Sequence, residues 1–383
     1  MNPLAKVQVS VPGRPPISYE VFVERGGLSR LGTLCEERAS AHGYALISDS
    51  RVSDLYAAAA LESLRGTGRR AEAFAFPAGE WNKNREEWAR LSDRLLSEGF
   101  GRDTVIVALG GGVTGDLAGF VASTFMRGVP VIHVPTTVLA MVDSSVGGKT
   151  GIDTPEAKNS IGSFHPPEFV LIDPDLLSTL QAFQLRAGLA ESVKMAAMRD
   201  EQLFAWIESV AEDLGDGKPD TLSELVIRSV RLKASVVGED PLEQGVRAIL
   251  NFGHTAGHAL EALSGYSLLH GEAVAHGMRL ESRLGEALGL TEAGTAARLD
   301  SVLHVCGLPL ELDPGLTATR VLDAARTDKK ARRGSLRWSL PARIGEAARA
   351  ADGDWTHELD ASASVAHLDA ALRTASEVRD SSA

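Results

Sequence analysis

Cysteine is scarce in this chain of 383 residues, which contains only Cys35 and Cys306. The two lie far apart and outside any CxxC spacing, so the sequence indicates neither a disulfide framework nor a thiolate metal site. Few and separate cysteines are typical of proteins from reducing compartments, and we expect a cytoplasmic protein.

Long apolar runs and excess positive charge are also absent. The longest uncharged apolar stretch, 129–142, is too short to span a bilayer and contains Pro130 and Pro135. A net charge of −12 argues against a broad nucleic-acid surface. We therefore expect neither a membrane nor a nucleic-acid partner, although an acidic chain can still hold a local cationic pocket. With 44% hydrophobic residues, the chain can bury one large core or two smaller ones.

Hydrophobic periodicity divides the chain into two halves. Short apolar runs alternate with helical patterns in the first half, which predicts a mostly parallel sheet covered by helices. From about 185 to 327 the pattern is helical and is broken by glycine and proline. We expect an α/β domain over 1–180 and a helical domain over 181–383, with a short two-stranded element near 336–340 and a loose tail after about 347. The predicted strands are 19–23, 45–48, 71–76, 104–109, 131–134 and 169–172.

The first candidate site is a glycine loop after the fourth predicted strand. Gly110, Gly112 and Gly115 have the GxGxxG spacing, in which backbone N–H groups at a helix N-terminus approach a pyrophosphate. A tight strand-to-helix turn with no ligand explains the same glycines. The loop also departs from the dinucleotide fingerprint, because no acid follows about 20 residues later. The acid that binds the ribose would then be Asp49 or Glu80.

A second glycine-rich segment, 142–151, follows a strand that ends in two threonines. It is not a Walker A loop, because Asp143 occupies the position of the first glycine. Glycines, hydroxyls, Lys149 and the nearby Lys158 together offer what an oxyanion site needs. The competing interpretation is a solvated loop with surface lysines.

Carboxylate and imidazole side chains cluster in the helical half. Glu191 lies three residues before Lys194, His254 and His258 are spaced i,i+4, and His270 begins another helical pattern. Three such ligands and an open position are typical of a catalytic zinc site. HEXXH is absent, and spacing alone would make His254 and His258 the ligand pair. Each residue alone is as well explained by a structural role.

Nine segments taken in order resemble the dehydroquinate synthase family of sugar phosphate cyclases. Any one of them could arise by chance, whereas the ordered set is specific and covers most of the chain. The segments are GEWNK (79–83), GGGVTGDLAGF (110–120), RG (127–128), VPTTVLAMVDSSVGGKTGID (134–153), KNSIGSFHPP (158–167), GLAESVK (188–194), RAILNFGHTAGHALE (247–261), LHGEAVAHGM (269–278) and DKK (328–330).

The resemblance implies a Rossmann-like domain that binds NAD, followed by an all-helical domain that binds zinc or cobalt. It assigns the metal to Glu191, His254 and His270 and leaves His258 to handle protons or substrate. Arg127 matches an arginine that reaches the phosphate from a neighbouring subunit, which implies a homodimer. The implied NAD contacts are Asp49, Glu80, Lys83, Gly111, Gly112, Val113, Asp116, Thr136, Thr137, Lys149, Lys158 and Thr179. The implied substrate contacts are Asp143, Lys149, Asn159, Lys194, Lys233, Arg247, Asn251 and Lys329 or Lys330, of which we favour Lys330.

The family's reaction converts 3-deoxy-D-arabino-heptulosonate 7-phosphate to 3-dehydroquinate and phosphate in the shikimate pathway. The implied sequence is transient oxidation by NAD, phosphate elimination, reduction and intramolecular aldol closure. Three alternatives stay open at this point: a cyclase acting on an aminated or other sugar phosphate, a metal-dependent alcohol dehydrogenase of the glycerol dehydrogenase kind, and a scaffold that binds a metabolite without catalysis. The retained Asp143, Gly147 and Lys149 favour the heptulosonate substrate.

Overall fold

Six parallel strands form the centre of the first half. The computed structural model describes residues 18–155, 157–265, 267–313, 315–327, 336–359 and 361–377, without the side chains of 361–364. The strands confirm the six predicted runs. They are β1 (Glu20–Val23), β2 (Gly43–Asp49), β3 (Arg70–Phe76), β4 (Thr104–Gly110), β5 (Val131–Pro135) and, after a separate antiparallel hairpin of β6 (Lys149–Thr154) and β7 (Ala157–Phe164), β8 (Phe169–Ile172).

The order of the sheet is β1-β8-β5-β4-β2-β3, and every described pairing in it is parallel. β2, β4 and β8 are buried along almost their whole length, as apolar strands covered on both faces must be. Because parallel strands end at a common edge, the loops after β2, β4 and β5 meet there. The helices of this half are α1 (Leu31–Arg38), α2 (Ser50–Val52), α3 (Ala58–Arg65), α4 (Arg85–Ser97) and α5 (Gly112–Thr124).

The second half is mainly helical, and its helices end where glycine and proline interrupt the pattern. α8 ends at Gly215, for example, and Pro219 occupies the first turn of α9, where its missing N–H costs no hydrogen bond. The helices are α6 (Ala182–Arg199), α7 (Glu201–Ser209), α8 (Ala211–Gly215), α9 (Pro219–Glu239), α10 (His254–Leu263), α11 (His270–Ala287), α12 (Thr295–Val305), α13 (Ala318–Thr327) and α14 (Ala361–Glu377).

Short strands complete the second half. β9 (Leu336–Trp338) pairs with β12 (His357–Leu359), and β10 (Pro341–Arg343) pairs with β11 (Glu346–Ala347). Helix α14 buries Leu368 and Leu372 in a cluster that also contains Leu280 of α11 and Trp338. The described residues of the segment after about 347 therefore pack against the helices that precede them.

One apolar cluster crosses from the sheet to the helical half. It includes Val134 and Val138 beside β5, Leu189 and Val193 of α6, and Leu225 of α9. A second cluster fills the other face of the sheet under α4 and α5. The shared core fixes α6 against the edge of the sheet at which the glycine loop lies. None of the described helices combines the length and the apolar character needed to cross a bilayer.

Candidate active site

The glycine loop lies at the carboxyl edge of the sheet. β4 ends at Gly110, Gly111 is the N-cap of α5, and Gly112 begins the helix. A Cβ on Gly110 would lie 2.3 Å from Thr114 Oγ1, and one on Gly111 would lie 3.1 Å from Thr137 Cγ2. The glycines therefore allow close packing around a helix N-terminus, whose free N–H groups and dipole favour an anion.

Asp49 and the two threonines lie at the same edge. Asp49 ends β2 and caps α2 by accepting the N–H groups of Arg51 and Val52. Thr136 follows β5 and donates its N–H to Gly110 O at 3.0 Å. The Thr136 hydroxyl is buried and has no hydrogen-bond partner within the described ranges. An unpartnered hydroxyl beside a helix N-terminus fits a bound dinucleotide, since a buried polar atom requires a partner.

Lys83 is the centre of a buried network that joins three of the predicted cofactor residues. Its Nζ lies 2.7 Å from Glu80 Oε1, 3.2 Å from Asp116 Oδ2 and 2.9 Å from Asn159 Oδ1. Burial opposes the charged form, but the carboxylates of Asp116, Glu80 and Asp153 raise the pKa of Lys83 above its ordinary value. Lys83 is therefore a fixed cation that ties Glu80 and the end of β7 to α5.

The remaining predicted cofactor residues are more scattered. Thr179 ends a 3₁₀ turn after β8, and its hydroxyl lies 2.7 Å from the hydroxyl of Tyr56. Val113 lies in the first turn of α5 and adds no polar side chain. Lys158 extends from β7 to the helical half, where its Nζ lies 2.6 Å from Glu261 Oε1. The structure thus gives Lys158 a partner in the helical half.

Glu191, His254 and His270 converge from three helices. Glu191 is fully buried on α6, while His254 and His270 begin α10 and α11. Glu191 Oε1 lies 3.8 Å from His254 Nε2 and 3.5 Å from His270 Nε2, and the three ligand atoms are within 4.8 Å of one another. This carboxylate oxygen accepts no hydrogen bond from any described residue. A buried carboxylate oxygen that has no hydrogen-bond donor and faces two imidazoles fits a divalent cation.

Two carboxylates outside the set hold the histidine helices in place. Gly253, the N-cap of α10, has no side chain to cap the helix and adopts φ +77°. Glu281 of α11 supplies the cap by accepting the N–H groups of Gly253 at 2.7 Å and Ala256 at 2.9 Å. Glu272 of α11 accepts the N–H of Leu269 at 3.0 Å. Each histidine therefore lies at a helix start fixed by a carboxylate.

His258 lies beside this set without completing it. Its ring centroid is 5.2 Å from that of His254 and 5.9 Å from that of His270. In the described part of the chain, no group of three with metal-ligand spacing contains both His254 and His258. The pair indicated by i,i+4 spacing stays a prediction, whereas Glu191, His254 and His270, which come from three helices, have metal-ligand spacing.

Buried charges line the space next to Glu191. Lys194 is one turn further along α6 and forms an ion pair with Glu191. Lys233 of α9 lies 2.6 Å from Asp143 Oδ1. Burial alone would raise the pKa of Asp143, but the ammonium groups of Lys233 and Lys194 lower it well below its usual range. The two lysines and the two carboxylates balance in charge, so each buried ammonium group is held by a carboxylate.

Arg247 and Lys149 add two more cations to this region. Arg247 is 2% exposed, and its guanidinium donates to the carbonyls of Pro241 at 2.7 Å and Gly147 at 3.3 Å. A Cβ on Gly147, whose φ is +109°, would lie 2.3 Å from Arg247 Nη2. Lys149 forms an ion pair with Glu243. The second glycine segment therefore holds a guanidinium against its backbone, and Lys149 lies two residues further on.

Glu243 is a site residue that the sequence analysis missed. Its carboxylate contacts Lys149 and accepts from Asn251 Nδ2 at 2.7 Å, so it joins two of the predicted substrate residues. It also adopts a positive φ of 57°, which is rare for glutamate. In the sequence it sits in a charged run that resembles a solvated turn, and its spacing of four from Arg247 was the one available signal.

One predicted residue, Arg127, is not brought to the site of its own chain, and another lies outside the described residues. Arg127 is exposed and ends the 3₁₀ turn that follows α5, with φ +70°. Since α5 starts at the glycine loop and spans about 20 Å, Arg127 lies toward the opposite edge of its own sheet. Lys330, like Lys329, lies outside the described residues.

Comparisons with known proteins agree with this geometry. The family model described as 3-dehydroquinate synthase N-terminal matches 73–187, and the one described as 3-dehydroquinate synthase C-terminal matches 188–331. A 3-dehydroquinate synthase of Xylella fastidiosa (strain M23) is 44% identical over 361 residues, which are 92% of this chain and 96% of that protein.

Two solved structures of cyclases have the same fold. A 2-epi-5-epi-valiolone synthase from Streptomyces hygroscopicus subsp. jinggangensis 5008, solved with NAD+ and Zn2+, superposes with a TM-score of 0.84 at 30% identity, covering 97% of this chain and 100% of that one. A 2-deoxy-scyllo-inosose synthase with carbaglucose-6-phosphate, NAD+ and Co2+ superposes with a TM-score of 0.83 at 27% identity, covering 91% of this chain and 96% of that one.

Proposed function

The chain belongs to the 3-dehydroquinate synthase family, and we propose that it converts 3-deoxy-D-arabino-heptulosonate 7-phosphate to 3-dehydroquinate and inorganic phosphate. The observation that carries the proposal is the convergence of Glu191, His254 and His270 next to buried cations, with Glu191 on the helix that packs against the segment following β5. This combination suits a substrate that carries phosphate and carboxylate and reacts at a hydroxyl group.

Glu191, His254 and His270 would hold the divalent ion, and the edge formed by Asp49, Gly110–Gly112 and Thr136 would hold NAD. When bound, the ion lowers the pKa of a substrate hydroxyl and NAD supplies reversible hydride transfer. Support for both comes from the donor set of this chain and from the two cyclases solved with NAD+ and Zn2+ or Co2+.

The cations of the chain would bind and orient the substrate. Lys194, Lys233 and Arg247 are buried, so their charges are little screened by water and their side chains lose little entropy on binding. Lys149 and Asn251 share Glu243, which keeps both directed toward the same space. Holding both ends of an open-chain sugar acid brings the carbons that join in the ring within reach of each other.

Asp143 and His258 would serve different tasks. Asp143 is anchored by Lys233, which keeps its carboxylate ionised and its oxygens fixed. His258 is half-buried beside the two histidine ligands, so a proton held on its ring lies close to a substrate hydroxyl at the ion. A neutral imidazole at this position can accept a proton and return it during the reaction.

We place the domain boundary near residue 180, with 1–180 binding NAD and 181–383 binding metal and substrate. The 3₁₀ turn Pro174–Thr179 lies between β8 and α6 and supports this division. The two cysteines support a cytoplasmic location, since both are buried and free and burial raises the pKa of each thiol to about 12.

We also propose that the enzyme is a homodimer in which Arg127 enters the partner's site. The position of Arg127 at the far end of α5 supports a contact between subunits rather than within one. Subunits carrying Arg127→Ala and subunits carrying Glu191→Gln should each be inactive alone. After mixing and exchange, about a quarter of the sites should regain activity, because half the dimers are mixed and each contains one intact site. No recovery from a confirmed mixed dimer would contradict the shared site.

The reaction can be tested by measuring two products in one experiment. The purified chain, Zn2+, a catalytic amount of NAD and the heptulosonate phosphate should release one phosphate per substrate with no net NADH. Net NADH with glycerol would instead indicate an alcohol dehydrogenase. Turnover of an aminated analogue in preference to the heptulosonate would indicate a different cyclase, and binding without either product would indicate a scaffold.

A further inference from the structure

His270 lies between two carboxylates, one at each ring nitrogen. Its Nε2 is 3.5 Å from Glu191 Oε1, and its Nδ1 is 3.7 Å from Glu261 Oε2. Glu261 belongs to neither the predicted metal ligands nor the predicted substrate contacts. We infer that Glu261 is a positioning residue that accepts the Nδ1 proton of His270 and so directs the Nε2 lone pair toward the metal ion.

The chemistry of imidazole requires such a partner. A neutral histidine carries one proton, and the nitrogen without it is the one that can bind a cation. When Nδ1–H donates to a carboxylate, Nε2 is left as the ligand, the ring is held in one orientation, and its basicity rises. His254 has an equivalent partner in a backbone carbonyl, since its Nδ1 lies 3.2 Å from Phe252 O. Glu261 would do for His270 what this carbonyl does for His254.

The location of Glu261 suits this role. It follows His254 by seven residues and His258 by three on α10, so it lies on the same helix face two turns further along. Its side chain is 4% exposed, and its Oε1 lies 2.6 Å from the ammonium of Lys158. Lys158 therefore keeps the carboxylate ionised and leaves the second oxygen for His270.

A second metal site is the competing explanation of the same geometry. His258, Glu261 and His270 also have ligand atoms within 4.8 Å of one another. The Lys158 ammonium argues against a second ion, because it places a positive charge on the carboxylate that such an ion would need. His270 would also have to bridge two ions through both ring nitrogens, which requires an imidazolate.

This inference rests on the proposed function, because it presupposes a metal at Glu191, His254 and His270. The test is the affinity for Co2+ alone, measured by chelator competition, together with the visible absorption of the bound Co2+. Glu261→Met removes the acceptor at similar volume and should weaken binding 10- to 100-fold with a changed spectrum. Glu261→Gln keeps an acceptor oxygen without the charge and should weaken binding less.

Glu208→Met is the matched control. Glu208 is also a carboxylate in an ion pair, with Arg298 at 2.5 Å, but it lies on α7 away from the histidines. Its Co2+ affinity and spectrum should equal those of the wild type. Thermal unfolding of the metal-free variants checks that each one folds. If Glu261→Met does not fold, Glu261→Gln is compared with the wild type instead.

Three results would overturn the inference. Equal affinity and an equal spectrum in wild type and Glu261→Met would show that Glu261 does not position His270. Two Co2+ ions per wild-type chain and one per Glu261→Met chain would make Glu261 a ligand of a second ion. A wild type that binds no Co2+ would overturn the proposed metal site and this inference with it, so the two failures are distinguishable.

Discussion

The two halves of the molecule build their parts of the site by different means. The sheet half uses backbone and short side chains at one edge, where Gly110, Gly111 and Thr136 lie within a few residues of strand ends. The helical half uses long charged side chains from helices distant in sequence, as Glu191 and His270 illustrate. In the first half, close packing around glycine positions these groups and Lys83 adds a buried charge network, whereas in the second half the pairing of buried charges positions them.

Because of this difference, the two halves should be disrupted by different kinds of substitution. An added methyl group disturbs the sheet half because the neighbours of its glycines are already in contact. A removed charge disturbs the helical half because it leaves another charge buried without a partner. We expect the consequences of each kind of substitution to stay within its own half.

Glu191→Gln should have the largest effect. It removes the charged ligand, so we expect metal binding to be lost and turnover to fall by at least about 1000-fold. It also leaves Lys194 buried without its ion-pair partner, which should lower the free energy of unfolding by about 3 kcal/mol. Metal content, steady-state kinetics and urea unfolding measure the three effects.

NAD affinity is the control for this variant. If the two halves are disrupted independently, the dissociation constant for NAD should stay within about threefold of the wild-type value. This corresponds to a change in the free energy of NAD binding of less than about 1 kcal/mol. A loss of NAD binding as large as the loss of metal would contradict the separation.

Lowering the pH should destabilise both halves through one buried histidine in each. Burial, helped by His165, lowers the pKa of His133 to about 4, and burial, helped by Arg279, lowers the pKa of His276 to about 4. Between pH 6.5 and 4 the unfolded chain binds a proton at each position that the folded chain does not. Stability is therefore complete above pH 6.5 and falls as the pH falls, by about 2 kcal/mol per histidine at pH 5.

Urea unfolding at pH 7 and pH 5 measures this loss. His133→Gln and His276→Gln should each remove about half of the pH dependence contributed by the pair. If either variant keeps the full pH dependence, the corresponding histidine binds its proton at pH 5 in the folded chain as it does in the unfolded chain.

Gly110→Ala should weaken NAD binding by about tenfold, or about 1.4 kcal/mol. The new methyl group would lie 2.3 Å from Thr114 Oγ1, and Thr114 is fully buried, so the first turn of α5 must move. Isothermal titration with NAD gives the affinity, and Co2+ binding should not change. Unaltered NAD affinity would mean that the cofactor does not depend on this helix start.

Gly238→Ala should have the smallest effect, and in the opposite direction. Gly238 lies in α9, and a Cβ there has no heavy atom within 4 Å. Alanine is favoured over glycine in a helix, so the variant should gain about 0.5 kcal/mol of stability. Thermal unfolding tests this, and a destabilised variant would contradict the open surroundings of Gly238.

The contrast between the halves also explains what could be predicted from sequence. The six strands and the glycine loop follow from local patterns, because hydrophobic runs and the residues that end them are adjacent in the chain. Glu191, His254 and His270 share no local pattern, since tertiary packing of α6, α10 and α11 brings them together. They were predicted through resemblance, and spacing alone suggested His254 with His258.

Other features had no usable signal. The hairpin of β6 and β7 is absent from the predicted strands, because its second strand, Ala157–Phe164, has no buried positions and thus gives no alternating hydrophobic signal. Glu243 and Glu261 contact predicted site residues of the other half through ion pairs with Lys149 and Lys158. Such pairs depend on how the halves meet, which a single sequence does not encode locally.

Anomalous diffraction at the zinc edge from crystals grown with Zn2+ would locate the metal ion. We expect one strong peak bounded by Glu191 Oε1, His254 Nε2 and His270 Nε2, with each protein–metal distance near 2.1 Å. A peak centred on His258 and Glu261, or no peak in crystals of protein that still turns over substrate, would contradict this expectation.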